Sequence, residues 1–161
     1  DIYIGDGGSN SLLVSSVDVK KPDQIVDNTM ILSQYVDIYV SESAFYLYQR
    51  KEYWDDVVTQ IAKFDLSDGK MNAVGAVSAN GRVTDTFAVN ECEGKLRVLT
   101  SGQNAVSGEA ENNLYLFDEN LNLTGKIEGL AQGEEIYAAR YLGNMAYFVT
   151  YRNTDPLFAV D

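Results

Sequence analysis

The sequence predicts an all-β fold, and three observations support it. A β-rich unit recurs at intervals of 47, 53 and 43 residues and closes each time on an aspartate. Ser-Val-Asp ends at Asp18, Lys-Phe-Asp at Asp65, Leu-Phe-Asp at Asp118 and Ala-Val-Asp at Asp161. Within each unit, short aromatic and β-branched runs alternate with Gly, Asn, Asp and Ser clusters, the pattern of strands joined by turns. No stretch of comparable length shows a 3.6-residue apolar period. Repeats of this length built from four short strands are those of β-propeller blades. The expected architecture is an incomplete propeller of about three four-stranded antiparallel blades, at 19–65, 66–118 and 119–161, preceded by a half blade at 1–18. All of it lies in one domain spanning 1–161.

Each unit opens on a first strand: 24–32, 72–78 and 123–127. Second strands follow at 36–40, 85–90 and 136–141. Tight turns come next at Ser41-Glu42-Ser43, Glu91-Cys92-Glu93-Gly94 and Leu142-Gly143-Asn144, where Gly and Asn supply the positive φ of a hairpin. The third strands are the most evident: Ala44-Phe45-Tyr46-Leu47-Tyr48, Leu96-Arg97-Val98-Leu99-Thr100 and Ala146-Tyr147-Phe148-Val149-Thr150. Fourth strands run over 60–65, 113–118 and 157–161. Tyr53–Lys63 carries a Val-Val-Thr run that favours strand over helix. Ile2-Tyr3-Ile4 and Leu12–Asp18 read as the last two strands of a preceding unit. Half a unit plus three is fewer than the four to eight blades of a closed ring, so the chain reads as a segment of a longer propeller. Length variation falls between third and fourth strands, at Gln49–Thr59, Ser101–Asn112 and Arg152–Asp155. In a propeller these loops share one face, and variable insertions on one face mark a binding side.

Composition narrows the function classes. The formal charge is −12, from 24 acids and 12 bases, which repels phosphate backbones and argues against nucleic acid as a partner. Histidine is absent, removing Ser-His-Asp and Cys-His catalysis and His-ligated zinc. The single Cys92 forms no intrachain disulfide and no paired-Cys metal site. Apolar runs of four to six residues fall far short of the roughly 20 that cross a bilayer.

The run Asn112-Asn113-Leu114-Tyr115-Leu116-Phe117-Asp118-Glu119-Asn120-Leu121, then Gly125–Ala131, Gly133–Tyr141 and Ala146–Phe158, resembles the bacterial secreted proteins with a C-terminal β-propeller domain. Ser41-Glu42-Ser43-Ala44-Phe45-Tyr46-Leu47 and Gly94-Lys95-Leu96-Arg97-Val98 resemble the same family more loosely, so the likeness covers nearly the whole chain. It implies a place outside the membrane, extracellular or at the cell envelope, in Gram-positive or archaeal cells. In that family further blades follow the position of Asp161. The resemblance implies no activity and supplies no catalytic residues.

Candidate contacts are few. Trp54 with Tyr53, flanked by Asp55 and Asp56, forms an aromatic platform suited to a sugar or a peptide, because rings supply contact area at small entropic cost. Gln103 and Asn104 lie in the second variable loop. Asp118, Asn120 and Asn122 stand at i, i+2 and i+4, the oxygen spacing of a calcium loop. The sixth and twelfth positions, Leu123 and Gly129, break that pattern, and a turn explains the same residues. No cofactor is expected, with calcium the one metal the spacing admits. Asp55-Asp56 and Glu134-Glu135 are adjacent carboxylates, but neighbours on a strand point to opposite faces. Arg152 and Asp155 bracket a short loop and suit a turn-stabilising ion pair. The expected function is an extracellular, non-catalytic interaction module presenting its loop face to a protein or a cell-wall polysaccharide. A propeller-scaffold hydrolase using carboxylates and a structural spacer are the alternatives. Open strand edges make a homodimer an expected mode of closure.

Overall fold

The computed structural model describes residues 2–4 (backbone only), 10–54, 56–104, 106–151 and 156–161. Four small sheets follow one another along the chain. The first orders β1 (Ile2–Ile4), β3 (Ile25–Ser33) and β2 (Asn10–Val17). The second is a meander of β4 (Asp37–Val40), β5 (Ala44–Tyr53), β6 (Asp56–Ser67) and β7 (Lys70–Asn80). The third repeats it with β8 (Val89–Cys92), β9 (Lys95–Gln103), β10 (Ala110–Phe117) and β11 (Leu123–Leu130). The fourth contains β12 (Glu135–Leu142), β13 (Met145–Tyr151) and β14 (Leu157–Val160). The fold is all-β, with consecutive strands antiparallel within each meander.

Successive sheets pack face to face, and the period-2 geometry of a strand explains how. Along β5, Ala44, Tyr46 and Tyr48 meet Val89, Leu96 and Val98 of the third sheet. The alternate residues Phe45 and Leu47 meet Ile31 of the first. Along β9, Leu96 and Val98 face back to the second sheet while Leu99 joins Ile136, Ala146 and Phe148 of the fourth. A strand buried on both faces must be apolar at nearly every position, which is why the third-strand runs stand out in the sequence. Fully burying each such side chain stabilises the fold by about 1.5–3 kcal/mol. Among the described residues the first and fourth sheets share no substantial packing, and the arc is open.

Four expectations change. The sheets group the strands one place later than the units 19–65, 66–118 and 119–161: the strands placed first in those units, 24–32, 72–78 and 123–127, are the last of the preceding sheets. Periodicity fixes the length of a repeat but not where it is cut. β1 does not neighbour β2; it pairs in parallel with the far edge of β3, Tyr3 opposite Ile31. The stretch 85–90 is not one strand. The Asp85 carboxylate accepts from the backbone N–H of Phe87 (2.7 Å) and Ala88 (3.2 Å). This caps a 3-10 turn over Thr86–Ala88, and β8 starts only at Val89. Finally, most of 49–59 and half of 101–112 are strand rather than loop. Strands β5 and β6 stay paired out to Tyr53 opposite Asp56, and β9 and β10 out to Gln103 opposite Ala110.

Candidate ligand-binding face

The two ends of the sheets differ in their connections. At one end lie the short turns β4–β5, β6–β7, β8–β9, β10–β11 and β12–β13, here called the turn end. At the other lie the long-hairpin tips β5–β6 and β9–β10 and the links from one sheet to the next, here called the tip end.

The tip end carries the exposed aromatics. Trp54 sits at the tip of the β5–β6 hairpin, fully exposed and with φ of 49°. Left-handed backbone is strained for any L-residue with a Cβ, and hairpin tips usually place Gly, Asn or Asp there. Tyr53 is half exposed, and its hydroxyl accepts from Gln60 Nε2 at 3.3 Å. Tyr35, in the link before β4, and Val106, in the β9–β10 loop, are also almost fully exposed. Asp55 lies outside the described residues, as do Arg152 and Asp155.

Below these tips a pocket of about 400 Å³ opens where the second, third and fourth sheets meet. Arg50, Asp56, Arg82, Gln103, Glu111 and Glu135 line it. Arg82 Nη2 bonds Glu135 Oε2 at 2.7 Å across two sheets, and Arg50 Nη2 bonds Glu52 Oε1 at 2.7 Å. Glu111 Oε2 accepts from Asn104 Nδ2 at 2.9 Å. Asn104 Oδ1 also accepts from the backbone N–H of Val106 and Ser107 (2.9 and 3.0 Å). Of the residues expected to make contact, Asp56 and Gln103 therefore line the pocket, whereas Tyr53 bonds Gln60 on the other face of the hairpin and Trp54 projects from its tip. Asn104 instead shapes its own loop and positions Glu111.

The pocket floor is a buried hydrogen-bond relay. Arg82 and Ser101 pair backbone to backbone (2.7 and 2.9 Å), joining the second sheet to the third. Ser101 Oγ donates to Asn112 Oδ1 at 2.6 Å and accepts from the Ile136 N–H at 3.2 Å. Asn112, fully buried, donates through Nδ2 to the carbonyls of Leu130 (3.0 Å) and Glu134 (2.9 Å). The chains approach so closely that Gly81, at φ of 86°, has room for no Cβ: one would lie 2.8 Å from the Ser101 carbonyl oxygen. Glu134 turns inward to accept from Thr150 Oγ1, while Glu135 faces the pocket. The adjacent acids thus point to opposite sides, as strand geometry requires.

At the turn end, the Glu91 carboxylate accepts from Ser41 Oγ (2.9 Å), Ser43 Oγ (2.5 Å) and the Tyr46 hydroxyl (2.6 Å) of the preceding sheet. Burial alone would raise its pKa, but the bonds from Ser43, Tyr46 and Ser41 outweigh that and hold it below the usual 4.5. Burial, then Glu91, push the Tyr46 phenol far above its ordinary range. Burial pushes Tyr48 up to about 12. Two buried cations reach the next sheet's turn: Lys63 Nζ donates to the Glu119 carbonyl (2.7 Å) and Arg97 Nη1 to that of Gly143 (2.8 Å).

Asp118, Asn120 and Asn122 form a self-contained turn. Asp118 Oδ1 accepts from the backbone N–H of Asn120 and Asn122 (2.9 and 2.8 Å), and Oδ2 accepts from Asn122 Nδ2 (2.9 Å). These bonds, the Asn122 side chain first, hold the Asp118 carboxyl below its usual range. The turn aims Leu121, at φ of 64°, into the core between the second and third sheets. Among the described residues, no group of three or more acids or Cys gathers to hold a metal ion.

Of the pocket residues, Arg50, Arg82 and Glu111 were not singled out by sequence, although Arg50 and Glu111 lie in the variable segments, and Glu135 was weighed only as one of an adjacent acid pair. They come from four strands and links with no common spacing. The nearest local signal is Asn80-Gly81-Arg82, a turn dipeptide followed by a cation where a sheet ends.

Two four-stranded meanders and a three-stranded one packed face to face, with a pocket where the three meet, fit a β-propeller architecture. The chain belongs to the β-propeller domain family, which matches residues 1–161. It is 42% identical over 113 residues to the uncharacterized protein MJ1554 of Methanocaldococcus jannaschii, a match covering 69% of this chain and 18% of that protein. It is 43% identical over 103 residues to an uncharacterized protein of Archaeoglobus fulgidus, covering 64% of this chain and 15% of that one. The matched segment is thus under a fifth of either relative's length. Both relatives are archaeal, so the bacterial secreted setting that the resemblance suggested has no support from them.

Proposed function

We propose that this chain acts as a non-catalytic interaction module that presents its tip end to a ligand, in the extracellular or cell-envelope setting implied by the family resemblance. The observation that carries the reading is Trp54: a fully exposed indole held in left-handed backbone at a hairpin tip, two residues before Asp56 of a polar pocket. A strained residue with no packing role is best explained by contact with something outside the chain. A spacer has no use for a pocket of this size, which falls within the range of ligand sites. The hydrolase alternative needs carboxylates free to manage a proton and a water. Glu111 and Glu135 are each engaged, by Asn104 and Arg82, which favours contact over hydrolysis.

The test is co-sedimentation of the chain with an archaeal envelope fraction, comparing wild type with Trp54→Asn and Tyr35→Ala. Saturable binding that weakens at least several-fold in both variants is expected. Envelope binding unchanged in both variants, or none in the wild type, would sink the reading.

A further inference from the structure

We infer that the outer faces of the first and fourth sheets are two halves of one interface, joined when a second copy of this chain docks head to tail. Each sheet turns a trailing face to the sheet before it and a leading face to the sheet after it. Ile61, Leu114 and Leu157 hold one place in the repeat, four residues before Asp65, Asp118 and Asp161. They pair in turn with Tyr48, Leu99 and Val149. On the leading faces of the second and third sheets, Ile61 and Leu114 are 1% and 4% exposed, but Leu157 on that of the fourth is 67% exposed. The trailing faces show the same contrast. Phe64, Phe117 and Val17 each stand one residue before a closing aspartate. Phe64 and Phe117 are 5% and 1% exposed against the preceding sheet, whereas Val17 of the first sheet is 46% exposed. Leu157 and Val17 are therefore core positions of a sheet-to-sheet contact that the single chain leaves uncovered.

Their surroundings have the same character. Val149 lies opposite Leu157 and lines a shallow groove with Tyr137, Ala138 and Tyr151. Val17 lies opposite Ile25, and Leu13 opposite Met30, on one face of the first sheet. None of these positions is charged, although the chain carries 24 acids and 12 bases. Arg140 of the fourth sheet is spent over the Phe87 ring, 3.7 Å from its centre. Exposed apolar faces of this kind mark association surfaces.

Between the second and third sheets, and again between the third and fourth, a leading face is covered by a trailing face. The occupant of the fourth sheet's leading face is accordingly a sheet of the same repeat. Among the described residues the first sheet has the one uncovered trailing face, and the open arc keeps it from its own fourth sheet. A second copy supplies it. A leading-to-trailing join is heterologous, and such joins either close a ring or run on as a polymer. Two copies of four sheets each give eight, within the four to eight blades of closed propellers, so the pair closes.

The experiment is light scattering on a sizing column across a dilution series of the 161-residue chain. The expected result is a concentration-dependent dimer of twice the 17.8 kDa chain mass. Leu157→Lys and Val17→Asp both alter exposed side chains, so the chain should still fold. Each should raise the dimer dissociation constant about ten-fold or more, because each buries an unpaired charge in the join. Mixing the two variants should restore the dimer. The mixed pair keeps one join between unaltered faces and brings the introduced cation and anion together in the other. Monomer at every concentration overturns the inference, as does a dimer that neither variant weakens. A dimer weakened by only one variant overturns it too, because a single face would then be meeting itself. Failure of the mixture to dimerise, or species that lengthen with concentration, overturns the closed head-to-tail pair.

Discussion

The turn end and the tip end are made from the same strands, yet they put their polar groups to opposite uses. At the turn end, Glu91, Lys63 and Arg97 are spent inward, each bonding a turn or hydroxyl of a neighbouring sheet. At the tip end, charged groups line an open pocket, and large aromatics project beyond it. The buried relay through Ser101 and Asn112 lies one layer below that pocket and gives it a fixed floor. Hence polar residues consolidate the arc at one end, whereas at the other the buried layer does so with one exposed ion pair, Arg82–Glu135, above it.

The severest way to break this picture is at the pocket floor. Asn112→Leu removes an amide that satisfies buried carbonyls on two segments and leaves them without a donor. A loss of about 3 kcal/mol in urea unfolding is expected, since each stranded buried group costs roughly 1–3 kcal/mol. A loss under about 1 kcal/mol would mean the floor is not rigid.

Next comes a pair of glycine substitutions, one at each end. Gly81 and Gly94 both have positive φ, 86° and 75°, but a Cβ at Gly94 meets nothing within 4 Å. Gly94→Ala should therefore cost only the backbone strain, about 1–2 kcal/mol. Gly81→Ala should cost clearly more, because the Ser101 carbonyl stands in the way. Equal melting temperatures for the two variants would remove the close approach between the second and third sheets from the account.

A smaller effect depends on pH. Glu91 has a lowered pKa in the folded chain, so the folded state favours its charged form. The stability it contributes is present above the unfolded carboxylate range and is lost as pH falls through the folded pKa. Glu91→Gln should cost about 2 kcal/mol at neutral pH, the worth of hydrogen bonds to a charged group. The gap to wild type should begin to narrow as pH falls below about 4.3, the ordinary glutamate value, and vanish once Glu91 is protonated in the folded chain. A gap that stays constant with pH would show that the charge is not what binds the two sheets.

Much of the scaffold was legible in the sequence because doubly buried strands advertise themselves: Ala44–Tyr48 and Leu96–Thr100 are apolar almost throughout, as a strand packed on both faces must be. The exposure of Trp54 was legible too, because it falls between two strand runs. The grouping of strands into sheets was not, since a meander looks the same wherever its repeat is cut. Asp85 escaped notice because its cap uses a side chain where propensity suggested a strand. The pocket was hidden for a different reason: Arg50, Arg82, Glu111 and Glu135 become neighbours only when three sheets are packed together.

The most direct measurement is urea unfolding of Trp54→Asn and Glu91→Gln side by side at neutral pH. Asn tolerates left-handed backbone, and the indole packs against nothing, so Trp54→Asn should be within about 0.5 kcal/mol of wild type or more stable. Glu91→Gln should be less stable by about 2 kcal/mol. If Trp54→Asn instead lost as much stability as Glu91→Gln, the indole would belong to the core and the division of labour between the two ends would be contradicted.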